Sequence, residues 1–180
     1  MSTSDDQSEL DGLRSLDPQV ISAVYERYFQ TVYRYIFYRV GDPTLAEDLT
    51  SEVFLRLLQA ARSNRAPAVN LKGWLLGTSA HAVNDHFRGS YRQPLANLYD
   101  GIEDTAQQPA EEVEQRERQR RLRGAMAHLT PEQQHVLALR FGEGYSLEET
   151  ATVMKKNVNA IKQLQLRALA ALNRKIGESI

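Results

Sequence analysis

Apolar residues between Val20 and Val40 fall at Val20, Ile21, Val24, Tyr25, Tyr28, Phe29, Val32, Tyr33, Ile36, Phe37 and Val40. Steps of three and four place them on one broad helical face. Gly41-Asp42-Pro43 breaks that helix, with Asp42 suited to cap the next one and Pro43 to fill its first position. The second helix carries Leu45, Leu49, Val53, Phe54, Leu57 and Leu58. A third is predicted from about Leu71 to Arg88 and contains the single tryptophan, Trp74. A charged helix follows over roughly Ala110 to Ala127. Thr130-Pro131-Glu132-Gln133 then reads as a cap, a first-position proline and a capping box, and Ser146-Leu147-Glu148-Glu149 as a second capping box. The helix begun at Ser146 ends near Met154. A short turn, Lys155-Lys156-Asn157-Val158, leads to a last helix through about Ile176. There is no internal repeat and no strand-like alternation, so the predicted class is all-α.

Residues 91–112 interrupt the periodicity. They hold Pro94, Gly101 and Pro109 and the acids Asp100, Glu103, Asp104, Glu111 and Glu112. Residues 93–112 are predicted to be a flexible acidic linker between two small helical domains, 18–92 and 113–180. Residues 1–17, acidic and polar, are predicted to be a disordered tail.

Composition narrows the function. Charged residues are 25% and hydrophobic residues 42% of the 180, ordinary for a soluble globular protein. No apolar run is long enough to cross a bilayer, and the acidic N-terminus is unlike a signal peptide, so the expected location is the cytoplasm. Cysteine is absent, which excludes disulfides and thiolate metal sites. His81, His86, His128 and His135 lack the spacing of a metal pair, and Glu47, Asp48 and Glu52 have no histidine at ligand spacing. Neither a metal nor a cofactor is expected. No P-loop, nucleophile elbow or metal motif appears, so the chain does not read as an enzyme.

The net charge of −1 argues against a nucleic-acid partner until its distribution is considered. Residues 1–20 hold five acids against Arg14, a net of −4. Residues 155–176 hold six bases (Lys155, Lys156, Lys162, Arg167, Arg174, Lys175) and no acid, a net of +6. A phosphate-facing segment needs such an asymmetry.

Two short helices joined by a tight turn, the second basic, form the pattern of a helix-turn-helix. Ala151 is small enough for the helices to approach, and Val158 and Ile161 suit the angle between them. Leu164, Ala168, Leu169 and Leu172 continue an inward stripe. Asn159, Lys162, Gln163 and Leu166 are left for the outward face, where amides and ammonium groups meet base edges and phosphates. Asn157 is placed to cap the helix, leaving free amides for a backbone phosphate. With Lys156 and Arg167, these residues make the predicted duplex-reading surface. The alternative is a solvated helical hairpin with surface lysines.

The two halves together resemble bacterial RNA polymerase sigma factors of the two-domain extracytoplasmic-function (ECF) type. Asp42-Pro43, Ala46-Glu47-Asp48-Leu49 and Glu52-Val53-Phe54-Leu55-Arg56-Leu57 resemble sigma region two. The resemblance implies that Asp48, Glu52, Phe54 and Arg56 dock on the clamp helices of the polymerase's largest subunit. Trp74-Leu75 with Asp85 and Arg88 resembles the stretch that melts and reads the minus-ten element, implying roles for Lys72, Trp74, His81, Asn84, Asp85 and Arg88. The run from Leu129 to Gln133, Leu139-Arg140-Phe141, Gly144 to Ala151, and Ile161-Lys162 with Arg167-Ala168-Leu169 resemble region four, which reads the minus-thirty-five element. That resemblance implies the duplex-reading residues above, from Lys156 to Arg167. The implied partners are core RNA polymerase (the clamp helices and the flap of the second-largest subunit), promoter DNA and an anti-sigma factor. Ser51, His81, Asn84, Thr150 and Leu164 depart from the family pattern.

Blander roles remain for several of these residues. Trp74 is equally suited to the core, Asp85 and Arg88 to a surface pair at i, i+3, and His81 to plain solvent exposure. The tyrosine-rich helix (Tyr25, Tyr28, Tyr33, Tyr35, Tyr38) reads as packing. A free-standing helix-turn-helix regulator is the alternative to a sigma subunit.

Overall fold

The computed structural model describes residues 2–90 and 110–178, and every regular element among them is helical. Four helices precede the gap: α1 (Ser2–Arg14), α2 (Pro18–Val40), α3 (Pro43–Arg62) and α4 (Leu71–Ser90). After it come α5 (Ala110–Ala127), α6 (Pro131–Leu137), a π-helical turn (Ala138–Gly142), α7 (Leu147–Met154) and α8 (Val158–Gly177). The predicted linker falls mostly on residues 91–109, outside the described residues. Its last three residues, 110–112, already belong to α5.

Local chemistry sets the boundaries. Asp17 and Asp42 cap α2 and α3 by accepting from Gln19 N and Leu45 N, each followed by proline. Gly41, at φ 72°, closes α2 in the left-handed conformation that its missing Cβ permits. Asn70, at φ 53°, starts α4 by accepting the Gly73 amide on its Oδ1 at 2.9 Å. A Cβ on Gly73 would lie 2.4 Å from the Asn70 amide nitrogen, so this start needs glycine. Both expected capping boxes form, Thr130 with Gln133 and Ser146 with Glu149.

The first core lies between α2, α3 and α4. Val24, Val32, Ile36, Val53, Leu57, Leu75, Leu76 and Val83 are each at most 2% exposed. Tyr25, Phe29, Tyr33 and Phe37 run along α2 with ring centroids 5.2 to 6.2 Å apart, the packing role expected of this helix. Trp74 packs against the same core. Among the described residues no helix is long and apolar enough to cross a membrane.

The N-terminal segment departs from expectation. Residues 2–14 form a helix, and its Leu10 and Leu13 are buried in the first core. Two leucines at i, i+3 are enough to seat one turn, while Asp11 stays in solvent. Glu9 pairs with Arg27 of α2 at 2.6 Å. Gly12 allows the close crossing, since a Cβ there would sit 2.5 Å from Val20 Cγ2. Composition alone does not register two well-placed leucines.

The second core joins Leu129, Val136, Leu137, Ala151, Ile161, Leu164 and Ala168 from α6, α7, α8 and the approach to α6. The cores touch. Ala138 and Leu139 of the π-turn and Tyr145 after it are buried with α2 and α4. The two halves thus pack directly on each other.

Candidate nucleic-acid interface

The helix-turn-helix is built as the spacing predicts. After α7, Lys155 takes a left-handed conformation (φ 53°, ψ 44°) that turns the chain sharply. Asn157 then caps α8, its Oδ1 accepting from Ala160 N at 2.8 Å. Ala151 and Ile161 are buried where the helices cross, and Leu164 and Ala168 continue inward. Thr150, where the family pattern has an apolar residue, is fully buried and returns its hydroxyl to the Ser146 carbonyl at 2.7 Å. Leu169 corrects the expected stripe: it is 37% exposed, having drifted off the inward face of a helix with 3.6 residues per turn.

Asn159, Lys162, Gln163, Leu166 and Arg167 all face solvent on α8. Arg167 reaches back to the Gln163 carbonyl at 3.4 Å. Lys156 lies at the turn and pairs with Glu132 of α6 at 3.0 Å. Arg140, on the π-turn, donates to Gln165 Oε1 at 2.9 Å and to the Tyr145 carbonyl, bracing α8 from behind.

The residues assigned to the minus-ten strand are not gathered on one free face. His81 and Arg88 are exposed. Asn84 is turned inward, accepting from Arg39 Nη2 at 2.7 Å. The Lys72 ammonium stands 5.0 Å from the centroid of the Tyr145 ring. Asp85 pairs with Arg56 of α3 at 3.3 Å, in place of the helical pair with Arg88. Arg56 also holds Glu52, making a bridge from α3 to α4. Of the docking set, Asp48 is exposed and Glu52 and Arg56 are half-buried. Phe54 is a correction: it is 7% exposed and packs on Tyr25 with ring centroids 4.8 Å apart. It follows Val53 into the inward stripe of α3 and offers little to a partner.

A polar contact between the halves was missed by sequence reasoning. Arg39 is 6% exposed and donates to Gln134 Oε1 at 3.2 and 3.1 Å, to Tyr35 Oη at 3.3 Å and to Asn84. Tyr35 Oη also shares a hydrogen bond of 2.5 Å with His135 Nδ1. Burial, then the charges of Arg39 and His81, push the His135 pKa down to about 3. Burial likewise raises that of Tyr35. At the rim, Arg34 grips Glu143 by two hydrogen bonds of 3.1 and 3.0 Å, and Arg123 lies 5.8 Å from the Phe37 ring. The one sequence signal was an arginine set between Ile36 and Val40 in an apolar run.

A helix-turn-helix whose second helix is free of acids, carried on a two-part helical chain, is the architecture of a DNA-binding protein. Comparison with known proteins agrees. The Sigma-70 region 2 model matches residues 24–93 and the Sigma-70, region 4 model residues 125–174. The chain is 40% identical over 154 residues to the ECF RNA polymerase sigma factor BldN of Streptomyces coelicolor, covering 84% of this chain and 58% of that protein. It therefore spans less than two thirds of BldN's length. It is 31% identical over 162 residues to the ECF RNA polymerase sigma factor SigX of Bacillus subtilis, covering 87% and 83%. The solved structure of CnrH in complex with the cytosolic domain of CnrY shares the fold, with a TM-score of 0.67 at 17% identity over 97% of this chain and 99% of that one. The chain belongs to the ECF sigma factors of the sigma-70 family.

Proposed function

We propose that this chain is a promoter-specificity subunit that binds core RNA polymerase in the cytoplasm, reads two promoter elements and performs no catalysis itself. The observation that carries the reading is the exposed, acid-free face of α8 in a chain whose other half matches Sigma-70 region 2. Asn159, Lys162, Gln163, Leu166 and Arg167, with Lys156 at the turn, contact minus-thirty-five duplex. Asn157 holds the start of α8 in place. His81 and Arg88 are the residues of α4 free to touch the minus-ten strand, and Trp74 supports them from the core. The exposed side of α3, with Asp48, Glu52 and Arg56, docks on the polymerase clamp, and the C-terminal half meets the flap. An anti-sigma factor is a further partner; a RpoE of Bartonella quintana with this fold has been solved with its anti-sigma factor NepR.

The test is transcription in vitro with core polymerase and a promoter library. The proposal expects a small set of promoters sharing two spaced elements, initiated only when the chain is added. Footprints on the same DNA without polymerase, at the same affinity, would favour a free-standing regulator instead.

A further inference from the structure

The open face of α8 has an internal order. Ile161, Leu164 and Ala168 are buried and define the inward direction of the helix. At about 100° per residue, Asn159, Gln163, Leu166 and Ala170 run down the middle of the opposite side, within about 30° of one line. Lys162 and Arg167 stand about 70° to either side of that line. All six are exposed. A helix in the major groove meets base edges along its middle and the two phosphate backbones along its flanks. The cations of α8 thus lie where phosphates would be, and two amides and a leucine where bases would be. Leu166 is 61% exposed among these polar groups, and the inward stripe does not extend to it. A leucine has no hydrogen bond to offer a base edge. The 5-methyl group of thymine is the one apolar feature that the base pairs present in the major groove.

We infer that Leu166 makes this chain select thymine at one position of the minus-thirty-five element, by burying its side chain against the thymine 5-methyl group while Lys162 and Arg167 hold the two backbones. The inference deepens the duplex-reading role proposed above and rests on it. Asn159 and Gln163 precede Leu166 on the same line, and amides so placed pair with N6 and N7 of adenine. Leu166 lies seven residues beyond Asn159. That is about 10 Å along the axis, so its thymine falls within about three base pairs of the base that Asn159 meets.

Deoxyuridine tests this directly, because it lacks only that methyl group and pairs with adenine as thymidine does. Each thymine of the minus-thirty-five region, on either strand of a promoter selected from the library, is replaced singly by deoxyuridine. Holoenzyme binding is then measured by competition, with the parent chain and with Leu166→Ala. The side chain is exposed, so the variant keeps its fold, and co-elution with core polymerase checks its assembly. For the parent, one replacement should weaken binding about fourfold, the size expected for one buried methyl group. With Leu166→Ala the same replacement should leave binding unchanged. Lys162→Ala, altered only on the flank, should bind more weakly overall and keep the fourfold loss. Selected elements without a thymine, a parent that tolerates deoxyuridine everywhere, or a thymine equally sensitive with Leu166→Ala each overturn the inference while leaving the promoter-specificity role intact. Lost co-elution of Leu166→Ala would assign the leucine to a protein contact and overturn it as well. A holoenzyme that transcribes no promoter overturns the function proposed above, and the thymine reading with it.

Discussion

At the scale of single residues, exposure and pairing sort side chains that look alike in sequence. Lys162 and Lys156 both lie in the basic segment, but Lys156 is tied to Glu132 and Lys162 is exposed. Lys162→Ala should therefore reduce the slope of log affinity against log salt for duplex DNA by about one unit, as for loss of one phosphate contact. If Lys162 reads a base instead, the same titration over variant sites will show relaxed preference at one position; an unchanged slope and preference would mean that it does not touch DNA. Asn84 and His81 separate in the same way. His81→Ala and Arg88→Ala should impair promoter opening, followed with a fluorescent base in the minus-ten strand. Asn84→Ala should act through Arg39, weakening the contact between the halves before it changes opening.

At the scale of elements, α1 shows how little apolar surface places a helix. Leu13 is 0% exposed against α2 and α3, so Leu13→Ala should lower stability by about 2–5 kcal/mol, the usual cost of a buried leucine truncation. Thermal unfolding by circular dichroism checks this, and a loss below ~1 kcal/mol would mean that α1 is only loosely seated. On α3 the outer side keeps Asp48 in solvent while Arg56 bridges Glu52 and Asp85. Reversing charge at Asp48 and Glu52 together should abolish co-elution with core polymerase while helix content stays unchanged. Retained co-elution would remove this face from the docking surface.

At the scale of the whole molecule, the contact between the halves carries a pH dependence. His135 of α6 faces Tyr35 and Arg39 from α2 and His81 from α4. Its pKa is about 3 when covered, against 6.5 when exposed. Above 6.5 the ring is neutral whether covered or exposed, and the contact has its full stability. As pH falls from 6.5 towards 3, an exposed His135 takes up a proton that the covered one excludes. The contact then weakens by at most about 1.4 kcal/mol per unit. Energy transfer between dyes on Ser22→Cys of α2 and Asn173→Cys of α8, both exposed positions in a chain without other cysteines, should therefore drop between pH 7.5 and 5.5. His135→Gln, which keeps a neutral acceptor, should be flat over that range.

The chain's own residues determined its elements. Asp42-Pro43, Thr130-Pro131 and Ser146 mark helix starts because capping depends only on neighbours in sequence. The stripe of Ile161, Leu164 and Ala168 likewise located the helix-turn-helix and, with the acid-free run, its basic outward side. Tertiary structure decided what a residue does once two faces of the chain meet. Phe54 fits a docking face by motif and a core by packing, and burial against Tyr25 settles it. Gln134 and His135 lie about a hundred residues along the chain from Arg39 and Tyr35, so no local pattern relates the two pairs. Whether a buried arginine finds a carboxylate or three neutral acceptors depends on how the halves come together, which the sequence pattern does not record.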